Sequence, residues 1–87
     1  MKIYPTEKFK DHFRYLVRKN SKYEKRVHKC LYLLDFDINH PSLRLHKLSG
    51  LEVYSVSVDM KVRILLTIFD EKIMLLDIRS HDEMYRN

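Results

Sequence analysis

The chain has 87 residues, 45% of them hydrophobic, with 17 lysines and arginines against 12 aspartates and glutamates and a formal net charge of +5. That length holds one domain, residues 1–87, and that hydrophobic content excludes a disordered chain. The single cysteine, Cys30, excludes an intramolecular disulfide and a cysteine-based metal cluster.

A lone thiol fits a reducing compartment, so a cytoplasmic location is expected. The N-terminus shows no apolar signal-peptide core, and no run reaches the ~18 apolar residues of a membrane span. The basic balance points to a polyanionic partner, with nucleic acid first among them. A soluble but idle basic surface is the alternative that charge alone leaves standing.

In chain order, Lys2-Ile3-Tyr4 reads as a short edge strand, with Pro5 biasing Tyr4 toward extended geometry. Thr6 is a candidate N-cap. Phe9, Phe13, Leu16 and Val17 then recur at helical spacing, and the helix is expected to stop near Lys19-Asn20. Ser21 and Glu24 have the capping-box spacing, and Tyr23, Val27, Cys30, Leu31, Leu34 and Ile38 mark the apolar stripe of a second helix. So short a link predicts an antiparallel helix hairpin.

Asn39-His40-Pro41-Ser42 is a break. Leu43 to Leu48 alternates apolar and basic residues and reads as extended, and Ser49-Gly50, with the only glycine, is a turn signal. Val53 to Val58 is β-rich, with Tyr54, Val56 and Val58 toward the core. Val62, Ile64, Leu66 and Ile68 share a face of the next strand, opposite Arg63, Leu65, Thr67 and Phe69. After Asp70-Glu71 comes Ile73 to Ile78, so the last three strands should form an antiparallel meander. Ser80 and Glu83 repeat the capping-box spacing and predict a short C-terminal helical turn. The fold class is therefore α+β: an N-terminal strand, a helix hairpin, then a three- to four-stranded antiparallel sheet with the helices on one face.

Function is sought on the other face. Arg63 projects from a strand whose alternate side chains are apolar, so its charge is wetted, paired across the sheet with Asp77 or a loop acid, or used on phosphate. His81 follows the last strand inside the expected helix N-terminus, where an anion and an imidazole could meet; an ordinary surface histidine is the plainer reading. His46 lies in the basic run Arg44-Leu45-His46-Lys47, suited to a phosphate path. His12 and His28 fall within helices and read as surface or boundary residues, and His40 as a loop residue. There is no HExxH spacing, nucleophile elbow, phosphate-binding glycine loop or dinucleotide fingerprint. RNA brings its own nucleophile, the 2′-hydroxyl; a small basic protein need only orient it, stabilise the crowded phosphate and move protons.

His40 to Gly50 (HPSLRLHKLSG), Tyr54-Ser55-Val56, Val62-Arg63-Ile64-Leu65 and Leu75 to Tyr85 (LLDIRSHDEMY) together resemble the RelE/ParE superfamily of bacterial toxins. Within it the look is of the RelE- and YafQ-like mRNA interferases of type II toxin–antitoxin systems. The resemblance implies ribosome-dependent cleavage of mRNA in the ribosomal A site, neutralisation by a cognate antitoxin, and no metal or other cofactor. Carried onto this chain, it makes His81, Arg63 and His46 catalytic, with Lys47, Arg44, Arg79 and the aromatic Tyr85 binding substrate. Two departures stand out. YafQ-like members carry an arginine roughly where this chain has Asp77, and strict alternation would turn the nearby Arg79 to the opposite face. The acid and histidine that some members place on the middle strand have no clear match at Val58 or Met60, although Asp59 is adjacent. The competing readings are a ParE-like gyrase-inhibiting toxin without nuclease activity and an inactive antitoxin-binding module.

Overall fold

A computed structural model of the chain describes residues 1–80. The expected C-terminal helical turn, with His81 and Tyr85, lies outside the described residues. The elements run β1 (Lys2–Pro5), α1 (Glu7–Lys19), α2 (Lys22–Phe36), a single 3-10 turn (Pro41–Leu43), β2 (His46–Lys47), β3 (Tyr54–Ser57), β4 (Val62–Phe69) and β5 (Lys72–Ser80). The five strands form one sheet in the order β1-β5-β4-β3-β2. The four strands after the helices pair antiparallel, as expected; β1 adds itself to the β5 edge in parallel.

The helices begin and end where local chemistry dictates. Thr6 Oγ1 accepts from Phe9 N at 3.2 Å and donates to Leu75 O at 2.8 Å, so one hydroxyl both caps α1 and pins its start to β5. The expected Ser21–Glu24 capping box does not form. Ser21 has helical backbone angles and makes no side-chain cap, and the Asn20 carboxamide oxygen accepts from Lys22 N instead. The stretch Leu43–Leu48 is not one extended segment either. Pro41 starts the 3-10 turn, whose fixed φ suits that position, and the His40 ring accepts from Ser42 N. Arg44 then turns left-handed at φ 47°, which breaks the alternation and leaves only His46–Lys47 as strand.

The core lies between the helix pair and one sheet face. Phe9, Tyr23, Val27, Cys30 and Leu34 pack against Val56, Val62, Ile64, Leu66, Ile73, Leu75 and Ile78, all of them buried. Burial pushes the Cys30 thiol up to about 12, and its Sγ donates to the Ser57 carbonyl at 3.6 Å. At the far end of the sheet, Asp59 closes the β3–β4 turn. Its Oδ1 accepts from the N–H of Lys61 and Val62, and its Oδ2 from Tyr23 Oη and Arg26 Nη1 at 2.7 Å each. Burial acts to raise this carboxyl, yet those donors outweigh it and hold it below the usual carboxylate range. Among the described residues no helix is long and apolar enough to cross a membrane.

The β4–β5 hairpin turns on two residues, Asp70 and Glu71, both at positive φ (52° and 59°). A turn of this kind matches the twist of the strands but strains any residue with a Cβ. Replacing Asp70-Glu71 with Asn-Gly is therefore expected to add about 1 kcal/mol of stability, raising Tm by about 4–8 °C in a domain of this size. Thermal melting monitored by circular dichroism checks this; an unchanged or lower Tm would show that the turn is unstrained.

Candidate functional site

One irregularity decides which side chains meet. Across the hairpin Leu66 stands opposite Leu75, but Leu65 stands opposite Asp77, so β5 carries one extra residue, Leu76, as a β-bulge. Without it, strict alternation would send Asp77 and Arg79 into the core with Ile73 and Leu75. The bulge reverses the phase: Ile78 goes to the core opposite Ile64, and Arg79 comes to stand opposite Arg63 on the outer face. The separation of Arg79 from the outer face expected from alternation is thus corrected. The signal was present, since buried apolar residues at 73, 75 and 78 do not keep a period of two.

Arg63 is half-buried and lies flat across the sheet. Its Nε donates to Ser55 Oγ on β3 at 3.0 Å and its Nη2 to the Arg44 carbonyl at 3.1 Å. That carbonyl is presented by the left-handed turn at Arg44, which explains why the loop departs from a strand there. Ser55, fully buried although it points away from the core, owes its satisfied hydroxyl to this arginine. The cross-strand Arg63–Asp77 pair weighed from the sequence does not form. Arg63 Nη1 meets no acceptor among the described residues.

Asp77 serves other partners. Only 3% exposed, it accepts from Arg79 Nε at 2.6 Å and from Ile78 N at 2.9 Å, lies 2.5 Å from His12 Nδ1, and has Lys8 Nζ at 3.8 Å. Lys8 and His12 stand one turn apart on α1, which covers β5 where β1 ends at Leu75. Burial acts to raise the Asp77 carboxyl; the hydrogen bonds from His12, Arg79 and the Ile78 N–H outweigh it and hold it below the usual range. The carboxylate is therefore ionised at neutral pH, and His12 Nδ1 is the donor.

The expected site residues fall into three groups. Arg63, Arg79 and His46 share the outer face: Ser57, Arg63 and Arg79 form one row across β3, β4 and β5, and His46, opposite Ser55, belongs to the next row. Neighbouring strands lie about 4.8 Å apart, so this is a patch a phosphodiester can bridge. Two arginines directly opposed repel one another, and a bound anion relieves that repulsion. Arg44 is exposed beside them and contributes its carbonyl to the patch, while its guanidinium reaches toward Met60 Sδ at 3.9 Å. Lys47 does not join them. It pairs in register with Tyr54, which places it on the helix-side face, and it lies 3.6 Å from Glu52. His81 and Tyr85 are outside the described residues. The group missed from the sequence is His12: an ordinary-looking helix histidine whose partner Asp77 lies 65 residues away. Among the described residues no group of three or more histidines, cysteines and acids is placed to hold a metal ion.

No family model matches the sequence, and no curated protein matches it. Solved structures do. A copper-bound mutant toxin from Helicobacter pylori superposes with a TM-score of 0.82 at 18% identity, over 98% of this chain and 99% of that one. YafQ from E. coli gives 0.77 at 12% identity over 97% of each chain. A YoeB toxin, solved in a heterotetrameric YoeB–YefM toxin–antitoxin complex from Staphylococcus aureus, gives 0.74 at 18% identity, over 93% of this chain and 97% of that one.

The Asp77 carboxylate, folded with its pKa depressed, contributes stability that is complete above its unfolded value of about 3.9 and is lost as pH falls through the lower folded value. Asp77→Asn is expected to cost about 2 kcal/mol at neutral pH, with the gap to wild type closing as pH falls below about 4. Urea unfolding of both proteins across that range checks it; a gap independent of pH would remove the ionised carboxylate from the account. In architecture the chain shares one α+β fold with these toxin structures, YoeB, YafQ and the Helicobacter toxin.

Proposed function

We propose that the chain is the toxin of a type II toxin–antitoxin system: an endoribonuclease that cuts mRNA in the ribosomal A site and is neutralised by a cognate antitoxin. The observation that carries this reading is the opposition of Arg63 and Arg79, one row from His46, on the sheet face turned away from the helices. The fold shared with YafQ and with the YoeB of the YoeB–YefM complex supports it, and that complex supports an antitoxin as partner.

In this reading the substrate brings the nucleophile. The ribose 2′-oxygen attacks the adjacent phosphorus, the P–O5′ bond breaks, and a 2′,3′-cyclic phosphate and a 5′-hydroxyl result. No metal or other cofactor takes part. Arg63, held flat by Ser55 and the Arg44 carbonyl, is pre-oriented to place its remaining N–H groups on the non-bridging oxygens as their charge grows. Arg79, tied at Nε by Asp77, offers the rest of its fork to the same phosphate. His46 and His81 move the protons, one from the 2′-hydroxyl and one to the leaving 5′-oxygen. Arg44 extends the positive charge toward the β2 edge, and Tyr85 stacks on a base. The chemistry needs no redox partner, and its dependence on ribosomes puts it in the cytoplasm.

In a purified translation system, with cuts mapped by primer extension, wild type is expected to cleave mRNA only when ribosomes are present. Arg63→Gln should lower the rate by about 100-fold or more, the cost of losing one pre-oriented donor to the developing charge, and His81→Ala should abolish it. Growth arrest with intact mRNA and damaged DNA would favour the gyrase reading. No arrest and no cuts would leave only antitoxin binding.

A further inference from the structure

The departure at Asp77 and the unexpected histidine on α1 meet at one place. Between the second half of α1 and the end of β5 lies a cavity of about 760 Å³. Its lining includes His12, Tyr15, Arg18, Lys19 and Arg79. Buried Asp77 stands behind it and holds two of these groups at once, Arg79 by Nε and His12 by Nδ1. Each is thereby committed through one nitrogen, and among the described residues the others, Nη1 and Nη2 of the guanidinium and Nε2 of the imidazole, form no hydrogen bond. A carboxylate that fixes an arginine fork and a histidine tautomer together is a pre-organised arrangement, because neither side chain has to be ordered again when a ligand arrives.

The surroundings say what that ligand is. Arg18 and Lys19 add positive charge, and the one acid among the described lining residues, Asp11, is already engaged by Arg14 Nη1 at 2.8 Å. Tyr15 is 56% exposed, with Lys19 Nζ 5.4 Å from its ring centroid. Cations alone would suit any anion. Cations beside an exposed aromatic ring suit a single-stranded nucleic acid, whose phosphates and bases alternate at comparable spacing. Arg79 also stands opposite Arg63, so the cavity continues the outer-face patch round the β5 edge toward α1.

We propose that this cavity is a second subsite for single-stranded RNA, in which His12 Nε2 and Arg18 take the backbone phosphate next to the one at Arg63 and Arg79, and Tyr15 stacks on the neighbouring base. The proposal rests on RNA being the substrate class, but it concerns binding and is tested without cleavage. A uridine-rich oligoribonucleotide with 2′-methoxy groups cannot be cut by 2′-oxygen attack, and its affinity can be followed by fluorescence anisotropy over a range of salt. The ring signals of His12 are followed by NMR in parallel.

The expected result is that the RNA moves the His12 signals. Arg18→Gln should lower the slope of log affinity against log salt by about 0.7, one single-strand phosphate contact. His12→Ala should weaken binding roughly tenfold, and Tyr15→Ala roughly five- to hundredfold. Lys29→Gln removes the same charge from an exposed position on α2 and should leave the slope at the wild-type value. Unmoved His12 signals, an Arg18→Gln slope equal to that of wild type or Lys29→Gln, or no RNA binding by wild type would each overturn the proposal. So would inorganic phosphate moving the His12 signals as strongly as the RNA at equal concentration, which marks a bare anion site. Wild-type binding lost in these variants, together with no cleavage in translation extracts, would sustain the subsite and sink the nuclease reading.

Discussion

A single buried carboxylate ties the end of β5 to α1. Asp77 sits where three structural facts coincide: the β5 bulge, the end of the β1 edge, and the first turns of α1. A buried acid without partners is costly and would neutralise itself; this one is compensated by an arginine, a histidine, a lysine and a backbone N–H. Each partner is ordered in the process. The carboxylate therefore does for Arg79 and His12 what Ser55 and the Arg44 carbonyl do for Arg63. Both arginines are thus oriented by the protein itself, and donors oriented in advance cost no reorganisation when a charge develops beside them.

The division of the sheet into two faces follows from the helix hairpin. Two short helices cover one face and no more, so the other must be made compatible with water or with a ligand. The chain places on it a flat arginine over a buried serine, a second arginine opposite, and a histidine one row away. It also accepts a cost there: two like charges across adjacent strands weaken the sheet unless a counter-charge is supplied. Asp77 supplies part of it from the side. In the proposed reading a phosphate would supply the rest, so the strain in the free protein and an affinity for a polyanion would have the same origin.

Much of the fold was readable from residue pattern. Thr6 caps, the stripe from Tyr23 to Leu34 buries, and Val62 to Ile68 alternates without interruption, because each of these depends on neighbours close in sequence. The errors arose where distant contacts or special backbone angles decide. Leu43 to Leu48 looks extended until Arg44 turns left-handed to give its carbonyl to an arginine 19 residues on. Ser21 looks like a cap, but Asn20 reaches Lys22 N first. The bulge at Leu76 changes only one residue's pairing, yet it moves Arg79 to the face of Arg63 and so assembles the site. Alternation and the basic run Arg44 to Lys47 brought Arg63 and His46 forward as candidates, but nothing local marked His12, whose partner Asp77 lies 65 residues away.

The account centres on RNA acting as its own nucleophile, with the protein supplying oriented cations and proton carriers. The measurement that addresses this most directly is the chemistry of the cut ends, taken from RNA cleaved on ribosomes in the presence of a metal chelator that spares ribosomal magnesium. Attack by the 2′-oxygen predicts a 2′,3′-cyclic phosphate, or the monophosphate it hydrolyses to, facing a 5′-hydroxyl, and no cut where the nucleotide at the scissile position is 2′-deoxy. A 3′-hydroxyl facing a 5′-phosphate, or undiminished cleavage at the deoxy position, would contradict it, since water would then be the nucleophile.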